Sequence, residues 1–367
     1  MRVAYVSMDP GIPVFGTKGA SIHVQAMLRA FLAMGADVTL ISPRIAGDAV
    51  LPVRTVALPL AEGCRTTALL AANDTLATTL AAEGPFDLIY ERHALYAHAA
   101  MDHAAAYRIP SVLEINAPLI EEQSRHRSLS HPEDAARTTR ASLSAARAVV
   151  AVSPAVADYA RAHGAARVAV IPNAIDADRQ ALPHVPGPFT VGFLGSLRPW
   201  HDIGVLLDAM ALLQARMPAH LLIIGDGPDR DRLAPRLTAI GAEVTGMVPH
   251  TELPRHLARL DVGAAPYSAT QPFYFSPLKL FDYMGAALPI VASRVGDMET
   301  LLDHGRLGLT VPPDDAAALA RVLEQLAQDA ALRDNLGRAA RAHVMAHHTW
   351  DRVAAQVLDL AGLRVPA

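Results

Sequence analysis

Tyr274-Phe-Ser-Pro-Leu-Lys-Leu-Phe-Asp-Tyr-Met284, followed closely by Leu288-Pro-Ile-Val-Ala-Ser293, sets an amphipathic helix directly before a short apolar run. Leu278, Leu280, Phe281 and Met284 share one helical face, and the run after them has the length and branched side chains of a strand buried on both sides. The same alternation extends outward in both directions. Short apolar runs at 3–6, 38–41, 88–90, 112–115, 149–152 and 168–171 are separated by helical patterns. A second series follows at 189–194, 221–224, 243–245, 262–265, 288–292 and 309–311. Parallel sheets covered by helices on both faces produce this pattern.

Between the two series lie Pro172-Asn-Ala-Ile-Asp176 and Pro183-His-Val-Pro-Gly-Pro188, a proline-dense segment that can continue neither a helix nor a strand. It reads as a linker. The expected fold is therefore α/β, with two doubly wound Rossmann-like domains facing across a cleft, the first over residues 1–178 and the second over 179–345. Ligands of such sheets bind beyond the carboxyl ends of the strands.

Composition removes several classes. Apolar residues make up 51% of the 367, which is a globular composition, and 32 basic against 36 acidic residues give a net charge of −4 with no general footprint for nucleic acid. An anion would have to be held locally. The single cysteine, Cys64, allows neither an internal disulfide nor a cysteine metal cluster, and a reducing, cytoplasmic setting is expected. The start, Met1-Arg-Val-Ala-Tyr-Val-Ser7, enters a strand pattern at once and is read as carrying no signal peptide. No apolar run approaches the roughly 20 residues of a membrane span, while a peripheral contact at the inner face of the membrane stays open.

Local chemistry concentrates at the ends of strands. Ser276 and Pro277 read as the cap and first residue of a helix whose exposed N–H groups and dipole would favour an anion, with Lys279 in the first turn. Asp282 follows about 9 Å further along, a separation that matches a phosphate and a ribose diol. A core-facing helix capped for stability alone is the other reading. The loop Phe15-Gly-Thr-Lys-Gly19 follows the first strand, and Gly16 and Gly19 would let a ligand approach the backbone, or else serve a turn. In Leu194-Gly-Ser-Leu-Arg-Pro-Trp-His201, Gly195 offers close approach and Arg198 a cation. Ile224-Gly-Asp-Gly-Pro228 is read as strand-to-helix turn chemistry.

Taken in order, these segments resemble the retaining glycosyltransferases of glycosyltransferase family 4, which have the GT-B fold. The resemblance spans Gly16 to Gly19, Ser153, Val170-Ile-Pro-Asn173, Gly192-Phe-Leu-Gly-Ser196, Leu222-Ile-Ile-Gly-Asp-Gly-Pro228, Thr245-Gly-Met-Val-Pro249, Ser276 to Met284, Ala292-Ser-Arg-Val-Gly296, and Thr349-Trp350. It implies that the second domain binds a nucleotide-diphosphate sugar, the first shapes the site of a glycan, lipid-linked or small-molecule hydroxyl acceptor, and residues 346–367 form a helix packing back on the first domain. Gly16, Gly19, Gly195, Ser276, Pro277, Leu278 and Asp282 would contact the donor, with Arg198 and Lys279 stabilising the departing diphosphate. Neither a metal nor a cofactor is expected.

Two departures accompany the resemblance. Tyr274 stands where the family's first glutamate would fall, leaving Asp282 as the only acid of the usual pair, and Ser196 takes the place of the usual arginine, with Asp202 near that of the lysine. They keep open the reading of a catalytically silent nucleotide-sugar-binding partner, and the fold itself that of a nucleotide-sugar epimerase. His93, Glu114 and Asn116, at strand ends in the first domain, are the candidates on the acceptor side. The mixed-charge run from Glu121 to Arg127 would be either a solvated loop or a contact for an anionic acceptor. Oligomeric state is not legible.

Overall fold

The computed structural model describes residues 1–48, 50–126 and 128–364, apart from the His126 side chain. It divides the chain into two units, Met1–Asn173 with Tyr274–Ser276 and Trp350–Ala367, and Ala174–Phe273 with Pro277–Thr349. The part of the 121–127 run formed by Arg127 and the His126 side chain lies outside the described residues.

In the first unit, strands β1 (Arg2–Ser7), β2 (Asp37–Ser42), β3 (Arg54–Ala57), β4 (Leu88–Arg92), β5 (Ser111–Ile115), β6 (Ala148–Ala151) and β7 (Val168–Val170) stand in the order β3-β2-β1-β4-β5-β6-β7. Every neighbouring pair is parallel. Burial on both faces explains why the inner strands are continuous apolar runs: Val3, Ala4, Tyr5 and Val6 are all inaccessible to solvent. Ala4, Val6, Ile89 and Leu113 pack into one core with helix residues such as Leu76, Met101 and Leu143. On the other face Tyr5 meets Tyr90, with ring centroids 5.1 Å apart. The apolar pattern did not reveal β3, because this edge strand is largely exposed and only its Val56 packs against the core.

The second unit holds β8 (Thr190–Leu194), β9 (His220–Ile224), β10 (Glu243–Val244), β11 (Val262–Ala265), β12 (Ile290–Ser293) and β13 (Leu309–Val311), in the order β10-β9-β8-β11-β12-β13, again all parallel. Both sheets are therefore doubly wound, as the alternation predicts. The winding direction reverses between β1 and β4 in one unit and between β8 and β11 in the other. Strand ends part at such points, and ligands of this fold bind there.

At the second switch point the aromatic plug is Tyr283. Its ring lies where a side chain on Gly263 would clash, and its hydroxyl accepts a 2.7 Å hydrogen bond from the Leu194 N–H, the last residue of β8. The segment after Asn173 is fastened to the second unit: the Ile175 N–H bonds to the His348 carbonyl at 3.0 Å and the Val185 N–H to the Ala258 carbonyl at 2.8 Å. The last helix, Trp350–Ala361, belongs to the first unit and packs on the helix Gly19–Ala33. Among the described residues, no helix is long and apolar enough to cross a membrane.

Candidate functional site

In the second unit, the loop after β8 and the helix Leu278–Gly285 meet at the switch point. Gly195 has φ +138°, a conformation open in practice only to glycine, and a Cβ placed on it would lie 3.3 Å from Lys279 Nζ. The loop's path is set by its neighbour: the Gly195 N–H bonds to the Ile224 carbonyl at 3.0 Å, and the Leu197 N–H to the Asp226 carbonyl at 3.1 Å. Gly225 and Gly227 have backbone of the first loop where their side chains would be. Their purpose is close packing of two strand-end turns, in keeping with the turn reading of Ile224 to Pro228.

Lys279 is 7% exposed, and its Nζ has no hydrogen-bond partner among the described residues. The amine sits 4.0 Å from the Phe193 ring centroid and 5.4 Å from that of Tyr267. Burial pushes its pKa well below the usual lysine value. A cation–π contact returns only about 2 kcal/mol when desolvated, less than removing an ammonium from water costs, so burial wins. Beside it, burial and then Lys279 lower His201 to about 2, against a hydrogen bond to Ser196 that opposes them. His201 is thus a neutral imidazole, whose Nδ1 lies 2.6 Å from the Ser196 carbonyl and donates to it. A buried amine without a partner beside a half-buried imidazole, with no acid paired to the amine among the described residues, leaves a donor that an anion would satisfy. His201 went unnoticed in the sequence, although the proximity of a basic side chain to the glycine turn was the available signal.

The opening of the helix corrects one expectation. Ser276 is not the cap: the residue at that position is Pro277, extended at φ −76° and ψ 107°, with no side-chain cap, and the first helical residue is Leu278. Ser276 belongs to the first unit, where its Oγ accepts from the Asn173 N–H at 3.0 Å and its carbonyl accepts from Asn173 Nδ2 at 2.6 Å. Tyr274 joins it there. Its carbonyl accepts a hydrogen bond from the Ser153 hydroxyl, and its ring packs on the first unit's core. Arg198 is exposed and stacks over Trp200 at 5.5 Å. Asp202 caps the helix Ile203–Gln214 through the Val205 N–H. Asp282 is paired, its Oδ1 lying 3.0 Å from Arg179 Nη1. Sequence reading missed Arg179, since nothing local links the two positions.

In the first unit, Gly16 lies in the loop after β1, held by Gln25 Nε2, which donates to the Val14 and Gly16 carbonyls at 2.9 and 2.8 Å. Gly19 begins the helix Gly19–Ala33, with Lys18 before it offering no side-chain cap. One turn on, His23 is buried between two oxygens, Asn173 Oδ1 at 2.9 Å from Nδ1 and Glu114 Oε1 at 2.5 Å from Nε2. The Ser276 carbonyl fixes the Asn173 amide so that its oxygen faces the ring. Each ring nitrogen thus lies beside an oxygen. Burial works to raise Glu114, but His23, with Arg92 3.8 Å away, brings its carboxyl down to about 2. Neither His23 nor Asn173 was singled out from sequence, although Asn173 closes the segment Val170-Ile-Pro-Asn173.

Of the other acceptor-side candidates, His93 joins this group only through its backbone, its N–H donating to the Glu114 carbonyl at 2.8 Å. His93 is buried, and burial followed by His163 lowers it to about 4; neither ring nitrogen has a hydrogen-bond partner among the described residues. Asn116 is half-buried, with Nδ2 unpaired. Near the ends of β1 and β4 a pocket of about 190 Å³ is lined by Asp9, Arg65, Tyr96, Glu122, Gln123 and Ser130 among others. Among the described residues no group of three or more histidine, cysteine or acidic side chains is placed to hold a metal ion.

Two family models match the chain in tandem, Glycosyltransferase Family 4 over residues 17–179 and Glycosyl transferases group 1 over residues 188–329. With the fold, these matches group the chain with the GT-B glycosyltransferases. It is 30% identical over 202 residues to a glycogen synthase of Mycobacterium tuberculosis, covering 52% of this chain and 47% of the relative. It is 33% identical over 183 residues to the D-inositol 3-phosphate glycosyltransferase of Pseudarthrobacter chlorophenolicus, covering 47% and 42%. The chain thus spans about half the length of the curated relatives it matches. Among solved structures, HepE of Anabaena in complex with UDP superposes with a TM-score of 0.71 at 20% identity, over 99% of this chain and 100% of that one.

Proposed function

We propose that this protein is a retaining glycosyltransferase that moves a sugar from a nucleotide-diphosphate donor to a hydroxyl of a glycan, lipid-linked or small-molecule acceptor. The observation that carries the reading is Lys279, a buried amine without a hydrogen-bond partner at the switch point of the second sheet, beside a glycine turn and a helix start. A phosphate oxygen would supply the missing partner and the charge that makes protonation of the amine favourable. The names of the sequence relatives and the UDP held by HepE support a nucleotide-sugar donor.

In this reading the bond between the anomeric carbon and the diphosphate oxygen breaks through an oxocarbenium-like state. The acceptor oxygen then bonds to that carbon from the face the diphosphate leaves, and the acceptor proton passes to a phosphate oxygen. Lys279 and the helix start stabilise the negative charge gathering on the diphosphate, with Arg198 as a second cation on the same loop. Gly16, Gly19, Gly195, Ser276, Pro277 and Leu278 are proposed as backbone contacts to the donor, and Asp282 as the acceptor for ribose hydroxyls. His93, Glu114 and Asn116 remain the proposed acceptor-side group. A cytoplasmic setting, with peripheral contact at the inner membrane face for a lipid-linked acceptor, fits this chemistry.

A thermal-shift screen of UDP-, GDP- and dTDP-sugars, followed by NMR of the product anomer with and without EDTA, tests the proposal. Stabilisation by one donor and a product of unchanged anomeric configuration, formed equally in EDTA, is expected. An inverted anomer would overturn retention, loss of turnover in EDTA would overturn metal independence, and binding without transfer to any hydroxyl acceptor would overturn the enzyme reading.

A further inference from the structure

We infer that Arg179 reads the ribose of the nucleotide together with Asp282, and so sets the preference of this site for ribonucleotides; the inference rests on the donor-binding reading above. The two side chains are 8% and 13% exposed, with Nη1 3.0 Å from Asp282 Oδ1. Nη1 also donates to His250 Nε2 at 3.0 Å, so this nitrogen is engaged by an acceptor on one side and the carboxylate on the other. Nη2 is different: it is buried and has no hydrogen-bond partner among the described residues. An unpaired buried guanidinium N–H is costly, and it lies on the same group that grips Asp282.

Arg341 ties the Arg179 backbone to the helix that carries Asp282. Its Nη2 donates to the Arg179 carbonyl at 3.0 Å, and its Nη1 donates to the Gly285 carbonyl at the end of that helix. Gly285 leaves room for the incoming chain, since a Cβ there would lie 2.9 Å from Ile175 Cδ1 and 3.9 Å from Arg179 Cγ. The guanidinium is therefore built in place and is not a wandering surface charge.

The chemistry of a ribose diol fits what the pair offers. Each hydroxyl both donates and accepts, whereas an ionised carboxylate can only accept. Asp282 has one oxygen engaged by Arg179, and its second can accept a hydrogen bond from a hydroxyl. Arg179 Nη2 can then donate to a hydroxyl oxygen, which the carboxylate alone could not do. A deoxyribose leaves that N–H buried and unpaired, and such sites reject the analogue lacking the hydroxyl more strongly than apolar pockets reject a missing methylene.

Isothermal titration with UDP and GDP and with their 2′-deoxy and 3′-deoxy analogues provides the test. The wild type is expected to bind the bound ribonucleotide about tenfold or more tightly than at least one deoxy analogue. Arg179→Met should bring that ratio to within about threefold, and Arg179→Lys, which keeps one donor, should restore part of it. A general loss of structure would weaken all the ligands alike and leave the ratio unchanged. An unchanged ratio in both variants, each keeping the wild-type unfolding midpoint, overturns the role of Arg179, as does a wild type indifferent to both hydroxyls. If no nucleoside diphosphate binds the wild type, the donor-binding reading falls as well, and the two failures are told apart.

Discussion

Lys279 places its Nζ 4.0 Å above the ring of Phe193, in a pocket where that amine has no hydrogen-bond partner among the described residues. The arrangement stabilises nothing in the isolated chain that an apolar side chain would not stabilise better. Lys279→Met fills a similar volume without a buried polar atom, and should raise the stability of the second unit by about 1 to 3 kcal/mol. Turnover should fall about 100-fold or more, the scale of losing one fixed donor to a developing anion. Thermal unfolding and single-turnover rates measured on one preparation check both halves. A variant that is less stable and equally active would mean that the amine serves the fold.

Glu91 gives the first unit a pH dependence of unusual sign. Its carboxyl is buried, both oxygens lack hydrogen-bond partners among the described residues, and burial, then Asp102, raises it to about 8 from a reference value of 4.5. The folded state keeps a proton that the unfolded chain has lost, so Glu91's contribution is full below the unfolded value and is lost as pH rises through the folded one. His93 acts in the opposite sense. Lowered to about 4 from 6.5, it makes the folded state lose stability as pH falls below 6.5. The two cancel in part between pH 4.5 and 6.5, and from 6.5 to 8 Glu91's contribution is read as the difference between wild type and Glu91→Gln. That difference should fall by about 1.4 kcal/mol per pH unit. Denaturant unfolding across this range, in wild type and variant, decides it.

The pair formed by His23 and Glu114 makes a separate claim on the first unit's stability. Both are buried, and His23 is held from its other side by Asn173. Removing one partner of a buried ion pair costs about 3 to 5 kcal/mol, because the other is left uncompensated. Glu114→Leu should therefore lower the unfolding midpoint in denaturant markedly. His23→Leu in the same background should recover much of the loss, since the unpaired group is then gone. Additive losses in the double variant would show that the contact carries no coupling.

Legibility followed the range of the interactions. Strands β1, β4 and β8 were readable because burial on both faces writes an unbroken apolar run into a few adjacent residues, and β3 was not, because an exposed edge has no such run. The glycine at 195 and the lysine at 279 could be marked from local motifs. What surrounds them could not. That Arg179 closes on Asp282, or that Asn173 grips the Ser276 backbone, depends on winding the chain into sheets, and a single sequence has no period that encodes it. The misplaced cap had a local cause: Ser276 has a capping side chain, yet its hydroxyl is already used by the Asn173 N–H, and the extended Pro277 moves the helix start by a residue.

Gly195 separates backbone conformation from ligand space. At φ +138° any side chain is strained, and a methyl group would also stand 3.3 Å from Lys279 Nζ and 3.7 Å from His201 Cε1, where a phosphate oxygen is proposed to approach. Gly195→Ala should cost about 1 to 3 kcal/mol of stability for its conformation and, independently, at least tenfold in nucleoside diphosphate affinity. Gly241 supplies the control. Its φ is +62° and an added Cβ would meet nothing within 4 Å, so Gly241→Ala carries a backbone penalty without touching the pocket. Calorimetric titration of both variants at a temperature where each remains folded should show affinity lost in the first and kept in the second. Equal affinities would mean that the turn at Gly195 is there for packing against Gly225 alone, and that the donor approaches the sheet elsewhere.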